Sequence, residues 1–179
     1  MSRPDVVVRL VHPHEHDAVA ALSVAAYTTD GPVSEEYRSN IADVATRARE
    51  HQVWVAADRT TGELLGTVAT PRPGGRLSPL ARDDELDFRL LAVHPSARRR
   101  GVGALLTLHV VELARERGAQ RVVMNSGPRM TTAHRLYERL GFARLPDRED
   151  RVVDGGTLLA FGLDVPALPT TVPAGVHSP

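Results

Sequence analysis

The 179-residue sequence contains no cysteine. Disulfides, zinc–thiolate sites and thiol nucleophiles are therefore excluded. It contains no lysine either: all 22 basic residues are arginine. That removes a Schiff-base or general-base lysine; otherwise the bias reads as genome composition. Aromatics are sparse, with one Trp, three Tyr and three Phe, and the 22 acidic residues cancel the arginines. A base-stacking platform and a generic nucleic-acid binder are both disfavoured. No apolar run approaches the roughly 20 residues of a membrane span. The apolar patch in MSRPDVVVRL is too short for a signal peptide. The expectation is a cytoplasmic protein with neither nucleic acid nor membrane as partner. Its length suits one domain that buries roughly 70% of its unfolded-chain surface without a staple.

What is present is a mixed order of strand and helix patterns. VVVRLV, 6–11, is β-branched and reads as a strand. HPHEHD leads into a helix over 18–27 with Asp17 as its cap, and Ser34 caps a second helix over 34–50. QVWVAAD and ELLGTVAT, separated by RTTG, read as a hairpin. A Pro/Gly-rich loop, PRPGGRLSPLARDD, precedes ELDFRLLAV, 85–93, read as one central strand. Val102, Leu105, Leu106, His109, Val110 and Leu113 recur at helical spacing, and Gly118 ends that helix. RVVMN is another strand. MTTAHRLYERL, 130–140, is a helix, and TLLAFGLDV, 157–165, is a last strand. The Pro-rich segment 166–179 has no periodicity and is expected to be a disordered tail. Residues 1–165 then form one domain with about six to seven strands in a mixed α/β sheet and helices on both faces.

RRRGVG, 98–103, places the densest positive charge and two glycines at the start of a helix. Helix N-termini present unpaired N–H groups and partial positive charge, and glycine lets a bulky anion approach. The stretch is neither a Walker A loop nor a dinucleotide fingerprint. By itself it is also compatible with a basic helix start beside a tight turn.

LLAVHPSARRRGVGALL, VVMN and AHRLYERLGF, in this order, resemble the GNAT superfamily of acyl-CoA-dependent N-acyltransferases. Arg98, Gly101 and Gly103 fill the family's Gln/Arg-x-x-Gly-x-Gly/Ala pattern, and Ala133 to Phe142 match its A-x-x-L-Y-x-x-L-G-F helix. The resemblance implies a sheet whose fourth and fifth strands splay apart to admit acetyl-CoA. Pantetheine would pair with the backbone at Leu91 and Val93. Pyrophosphate would lie on the N–H groups of Arg99, Arg100, Gly101, Val102, Gly103 and Ala104, with Arg98 adding charge. Many family members carry asparagine where this chain has Met130, and Asn125 is the candidate replacement.

Acyl transfer to an amine needs a neutral nitrogen, a polarised carbonyl and a proton for the departing thiolate. Alternation puts Glu85, Asp87 and Arg89 on one strand face. By the resemblance Asp87 stands where some members carry a catalytic glutamate, so it is expected to act through water; Glu85 competes with it. An exposed acidic strand end is the structural alternative. Tyr137 matches the family's usual acid, and Leu91 N–H could polarise the thioester. His12, His14 and His16 alternate, but no metal is expected. The implied activity is transfer of an acetyl group from acetyl-CoA to an amine of a small molecule or a protein. An acyl-CoA-binding regulatory module without turnover is the alternative. Residues from Tyr27 to Tyr37, the loop before the central strand and the last strands would shape the acceptor site. Homodimers are common in the family.

Overall fold

The structure is a computed structural model, and it describes residues 5–153 and 156–166. The expected tail therefore lies outside the described residues, apart from Pro166. The chain opens with β1 (Val6–Leu10), α1 (His16–Thr29), α2 (Glu35–Ala42) and α3 (Val44–Glu50). Next come β2 (Gln52–Asp58), β3 (Leu64–Thr70), β4 (Glu85–Asp87), β5 (Arg89–Val93) and α4 (Val102–Glu116). β6 (Arg121–Ser126), α5 (Thr131–Arg139), β7 (Ala143–Arg144), β8 (Val152–Val153), β9 (Gly156–Thr157) and β10 (Leu159–Asp164) complete it. The strands form two four-stranded sheets, β1-β2-β3-β5 and β4-β6-β10-β7, and a small β8-β9 ribbon.

The central strand expected over 85–93 is two strands. Its first half pairs parallel with β6, from Glu85 opposite Arg121 to Asp87 opposite Val123. Its second half pairs antiparallel with β3, where the register slips between Thr67 and Ala69. Between them Phe88 is fully buried, and Leu90 adopts a left-handed backbone with φ of 53°. That conformation is costly for a branched side chain and marks a forced bend. The chain thus leaves one sheet and joins the other, and β5 parts from β6.

Alternation along β2 puts helices on both faces. Val53 and Val55 pack with Val19 of α1 and Val44 of α3. Trp54 faces the other way and stacks edge-on against His109 of α4, with ring centroids 4.4 Å apart. On α4, Val102, Leu106, Val110 and Ala114 are buried, as the spacing requires, whereas Leu105 and Leu108 are exposed. Phe88 meets Tyr137 and Phe142 at 6.1 and 6.4 Å between ring centroids, and Phe161 meets Tyr137 at 5.7 Å. Such aromatic pairs add about 0.5–1.5 kcal/mol each beyond area burial, and this group ties α5 to the bend and to β10.

Two local expectations are corrected and a third is borne out. The helix expected over 34–50 breaks at Asp43, which ends α2 and caps α3 by accepting from Thr46 N–H. Asp17 lies inside α1 and caps nothing; a 3-10 turn at Pro13–Glu15 precedes the helix, and Glu15 accepts from His12 N–H. Ser34 does cap α2, accepting from Tyr37 N–H at 3.2 Å.

Candidate active site

β5 is the edge strand of its sheet, and β6 pairs with β4 only over Arg121–Val123. Leu91, Met124, Asn125 and Ser126 therefore border a gap with no ladder between β5 and β6. The gap opens into a cavity of about 840 Å³. Leu90, Leu91, Met124, Asn125 and Tyr137 line its inner part. Tyr27, Tyr37, Ser78, Arg89 and Arg151 line its outer part, so all three tyrosines of the chain meet in one place.

Beyond the C-terminal end of β5, outside the cavity lining, stands the turn before α4. Arg99 and Gly101 have left-handed backbones with φ of 64° and 79°, and Gly101 is the N-cap of α4. Alternating handedness of this kind turns successive N–H groups toward one side. The first bond of the helix runs from Leu105 N–H to Gly101 O at 3.0 Å. Among the described residues, no N–H from Arg99 through Arg100, Gly101, Val102 and Gly103 to Ala104 finds a carbonyl acceptor. Six unengaged donors at a helix N-terminus suit a phosphate. A Cβ at Gly103 would lie 3.1 Å from Leu136 Cδ2 and 3.6 Å from Val93 Cγ2, so the turn abuts the end of β5 and the face of α5. The open gap, the free strand edge and these donors fit a pantetheine diphosphate. Arg98 contributes differently from the expectation. Its guanidinium reaches back to Ala26 O at 3.1 Å and pairs with Asp30 at 3.4 Å, tying α1 to the turn.

Tyr137 is buried, and burial pushes its phenol well above its ordinary pKa, so it stays protonated. No hydrogen bond within the described residues engages its hydroxyl, yet the residue borders the cavity. On the same helix His134 sets Nε2 within 3.1 Å of Ser126 Oγ and 3.0 Å of Gly127 O. Burial lowers its pKa, so the neutral form is favoured. Asn125 reaches Leu159 O with Nδ2 at 3.4 Å.

Glu85, Asp87 and Arg89 go to three different places. Glu85 grips Arg148 with both oxygens at 2.7 and 2.8 Å and accepts from Arg82 N–H. Burial pushes its pKa up, but these partners outweigh burial and the net shift is downward. It is a clamp on β4, remote from the cavity wall. Asp87 is 1% exposed. Both its oxygens accept from Leu77 N–H, at 3.0 and 3.1 Å, and Oδ2 accepts from Ser78 Oγ at 3.0 Å. Asp87 anchors the Pro/Gly-rich loop, and Ser78 stands between it and the cavity. Sequence reasoning missed Ser78, which carries no signal beyond its place in that loop. Far away, His12, His14 and Glu15 have ligand atoms within 4.8 Å of one another, but both oxygens of Glu15 are held by Arg9.

Residues 17–142, well over half of the chain, match the acetyltransferase (GNAT) family. The chain is 33% identical over 150 residues to mycothiol acetyltransferase of Cellulomonas flavigena, covering 79% of this chain and 41% of that protein. It is 30% identical over 112 residues to glucosamine 6-phosphate N-acetyltransferase 1 of Oryza sativa subsp. japonica, covering 62% and 65%. The chain thus spans less than two thirds of the length of either relative. Among solved structures, a GNAT-family acetyltransferase from Staphylococcus aureus Mu50 superposes with a TM-score of 0.68 at 11% identity, covering 90% of this chain and 99% of that one. The Salmonella typhimurium acetyltransferase YncA, solved with acetyl-CoA, gives 0.62 at 20% identity, covering 93% and 99%. At such identities the superpositions show a shared fold, and the family match adds descent: the chain belongs to the acetyltransferase (GNAT) family.

Proposed function

We propose that the chain is an N-acetyltransferase that binds acetyl-CoA in the gap between β5 and β6 and an amine in the outer cavity. One observation carries the reading: the free edge of β5 runs from the cavity that Leu91 and Tyr137 line to the turn of six unengaged N–H groups before α4, which abuts Val93 and Leu136. The names of the relatives, both acetyltransferases, support it. When bound, acetyl-CoA supplies the acetyl thioester and departs as the thiol. The chain's own residues do the rest. The N–H groups of Arg99 to Ala104 hold the diphosphate, and the edge of β5 at Leu91 and Val93 aligns the pantetheine. Leu91 N–H is the donor that polarises the carbonyl. Tyr137 Oη holds the proton that the sulfur takes as the C–S bond breaks.

The amine must lose a proton as its C–N bond forms. Neither Glu85 nor Asp87 borders the cavity, so neither reaches the nitrogen directly. Ser78 Oγ can take that proton while passing its own to Asp87 Oδ2. In this reading Asp87 acts one hydroxyl removed from the amine, and Glu85 acts on fold alone. A homodimer is part of the proposal and is checked by sedimentation velocity.

Calorimetric titration with acetyl-CoA, followed by thiol release with a panel of amines, tests the function. Binding with release supports it. Binding without release from any amine class favours the regulatory-module alternative, and absent binding overturns both.

A further inference from the structure

The outer cavity contains a cation without a counter-ion. Arg89 opens β5 beside the bend at Leu90 and lines both the large cavity and a smaller one of about 150 Å³ behind it. Among the described residues it makes no ion pair, whereas Arg98 pairs with Asp30, Arg148 with Glu85 and Arg9 with Glu15. Arg47 of α3 lines the smaller cavity too. Its guanidinium donates to the neutral carbonyls of Asn40 and Ile41, so its charge is not cancelled there. Burial, and then the charge of Arg89, push its pKa below the ordinary value. The nearest aromatic neighbours are uncharged phenols, Tyr27 and Tyr37, packed edge to face with ring centroids 6.0 Å apart.

The carboxylates on the wall do not remedy this. Asp30 is held by Arg98, Asp43 caps α3 and faces Arg47, Glu36 is exposed on α2, and Glu50, on the smaller cavity, is exposed at the end of α3. Arg129 and Arg151 add further positive charge to the lining. Two guanidiniums set side by side and partly out of water raise the free energy of the empty site, and an anion arriving between them relieves it. A guanidinium fork also matches a carboxylate or phosphate in two parallel hydrogen bonds.

We propose that the acceptor is a small anionic amine, bearing a carboxylate or a phosphate, and that Arg89 receives that anion with Arg47 behind it and Arg151 on the facing wall. This rests on the acetyltransferase reading and narrows its substrate class. Anchoring the anion at the bend would hold the nitrogen toward Leu91 and Ser78.

Matched acceptors test it: each α-amino acid against its amide, and glucosamine 6-phosphate against glucosamine, assayed by thiol release at saturating acetyl-CoA. The anionic member of at least one pair is expected to show a kcat/KM more than about tenfold higher than its neutral partner. Arg89→Gln should erase most of that preference through KM, leaving the neutral partner and the acetyl-CoA affinity within about twofold. Arg89→Lys, which keeps the charge and loses the fork, should fall between; it replaces Arg89→Gln if a melting curve shows that variant unfolded. Neutral amines accepted as well as anionic ones would overturn the inference. So would equal loss on both members of a pair, or no turnover of any member while acetyl-CoA binds. Failure to bind acetyl-CoA overturns the enzyme reading beneath it.

Discussion

The two ends of the proposed site are built from different materials. The inner end is backbone: a free strand edge and six unengaged N–H groups from Arg99 to Ala104. The outer end is side chain: Tyr27, Tyr37, Ser78, Arg89 and Arg151. Backbone donors are indifferent to most substitutions, so the inner end can persist while sequences diverge. Side chains set charge and shape, so the outer end is where one family member differs from another. Substitutions in the two ends should therefore separate cofactor affinity from acceptor choice.

Tyr137 lies where the ends meet, and it should show the largest effect. Tyr137→Phe removes one oxygen that makes no hydrogen bond within the described residues and keeps the ring against Phe88, Phe142 and Phe161. Turnover is expected to fall roughly ten- to a thousandfold with melting temperature and acetyl-CoA affinity nearly unchanged. Unchanged turnover on a good acceptor would move the acid elsewhere.

Asp87→Asn sharpens the comparison, because Asp87 supports the outer end from outside the cavity. An amide offers one acceptor where the carboxylate offers two, and its NH₂ confronts the Leu77 N–H. A stability loss of about 1–3 kcal/mol is expected by chemical denaturation. If Ser78 relays a proton to Asp87, turnover should drop as well, and drop less at a pH where the amine is already neutral. Ser78→Ala should then reproduce the kinetic loss with a smaller loss of stability. A pH-independent loss in both variants would leave Asp87 as a loop anchor alone.

The smallest effect belongs to a site in neither end. Glu15 has its pKa lowered to about 2, first by its hydrogen bonds with Arg9 and, against burial, by His12 N–H. Its folded-state pKa lies below the unfolded value, so the stabilisation is present above about pH 4.5 and is lost as pH falls toward 2. Glu15→Gln should cost about 1 kcal/mol at neutral pH, shrink as the solution is acidified, and leave acetyl transfer untouched. A kinetic effect would connect β1 to the site in a way the packing does not.

The inner end was legible because its conformations need particular residues. Gly101 takes a φ of 79° that other residues avoid, and the A-x-x-L-Y helix carries its phenol on its own apolar face. The outer end was not, because the decisive event, the bend at Phe88 and Leu90, occurs at residues with no conformational signature. ELDFRLLAV reads as one alternating strand, and alternation put Asp87 and Arg89 on one face. The bend instead gives Asp87 to a loop and Arg89 to the cavity. Elsewhere the capping residues carry the signal: Pro13 with Glu15 marks the turn ahead of α1, and Asp43 before VAT marks a fresh helix start. The two-residue strands β7, β8 and β9 are too short to leave a pattern.

The division between the two ends is tested most directly by titrating acetyl-CoA into three proteins: wild type, Gly101→Val and Arg89→Gln. Valine at Gly101 puts a branched side chain on a left-handed backbone and turns the free N–H groups away from one another. The expected result is an affinity at least about tenfold lower for Gly101→Val, or about 1.4 kcal/mol, and an affinity for Arg89→Gln within about twofold of wild type. Undiminished binding by Gly101→Val, or an equal loss in Arg89→Gln, would contradict the account.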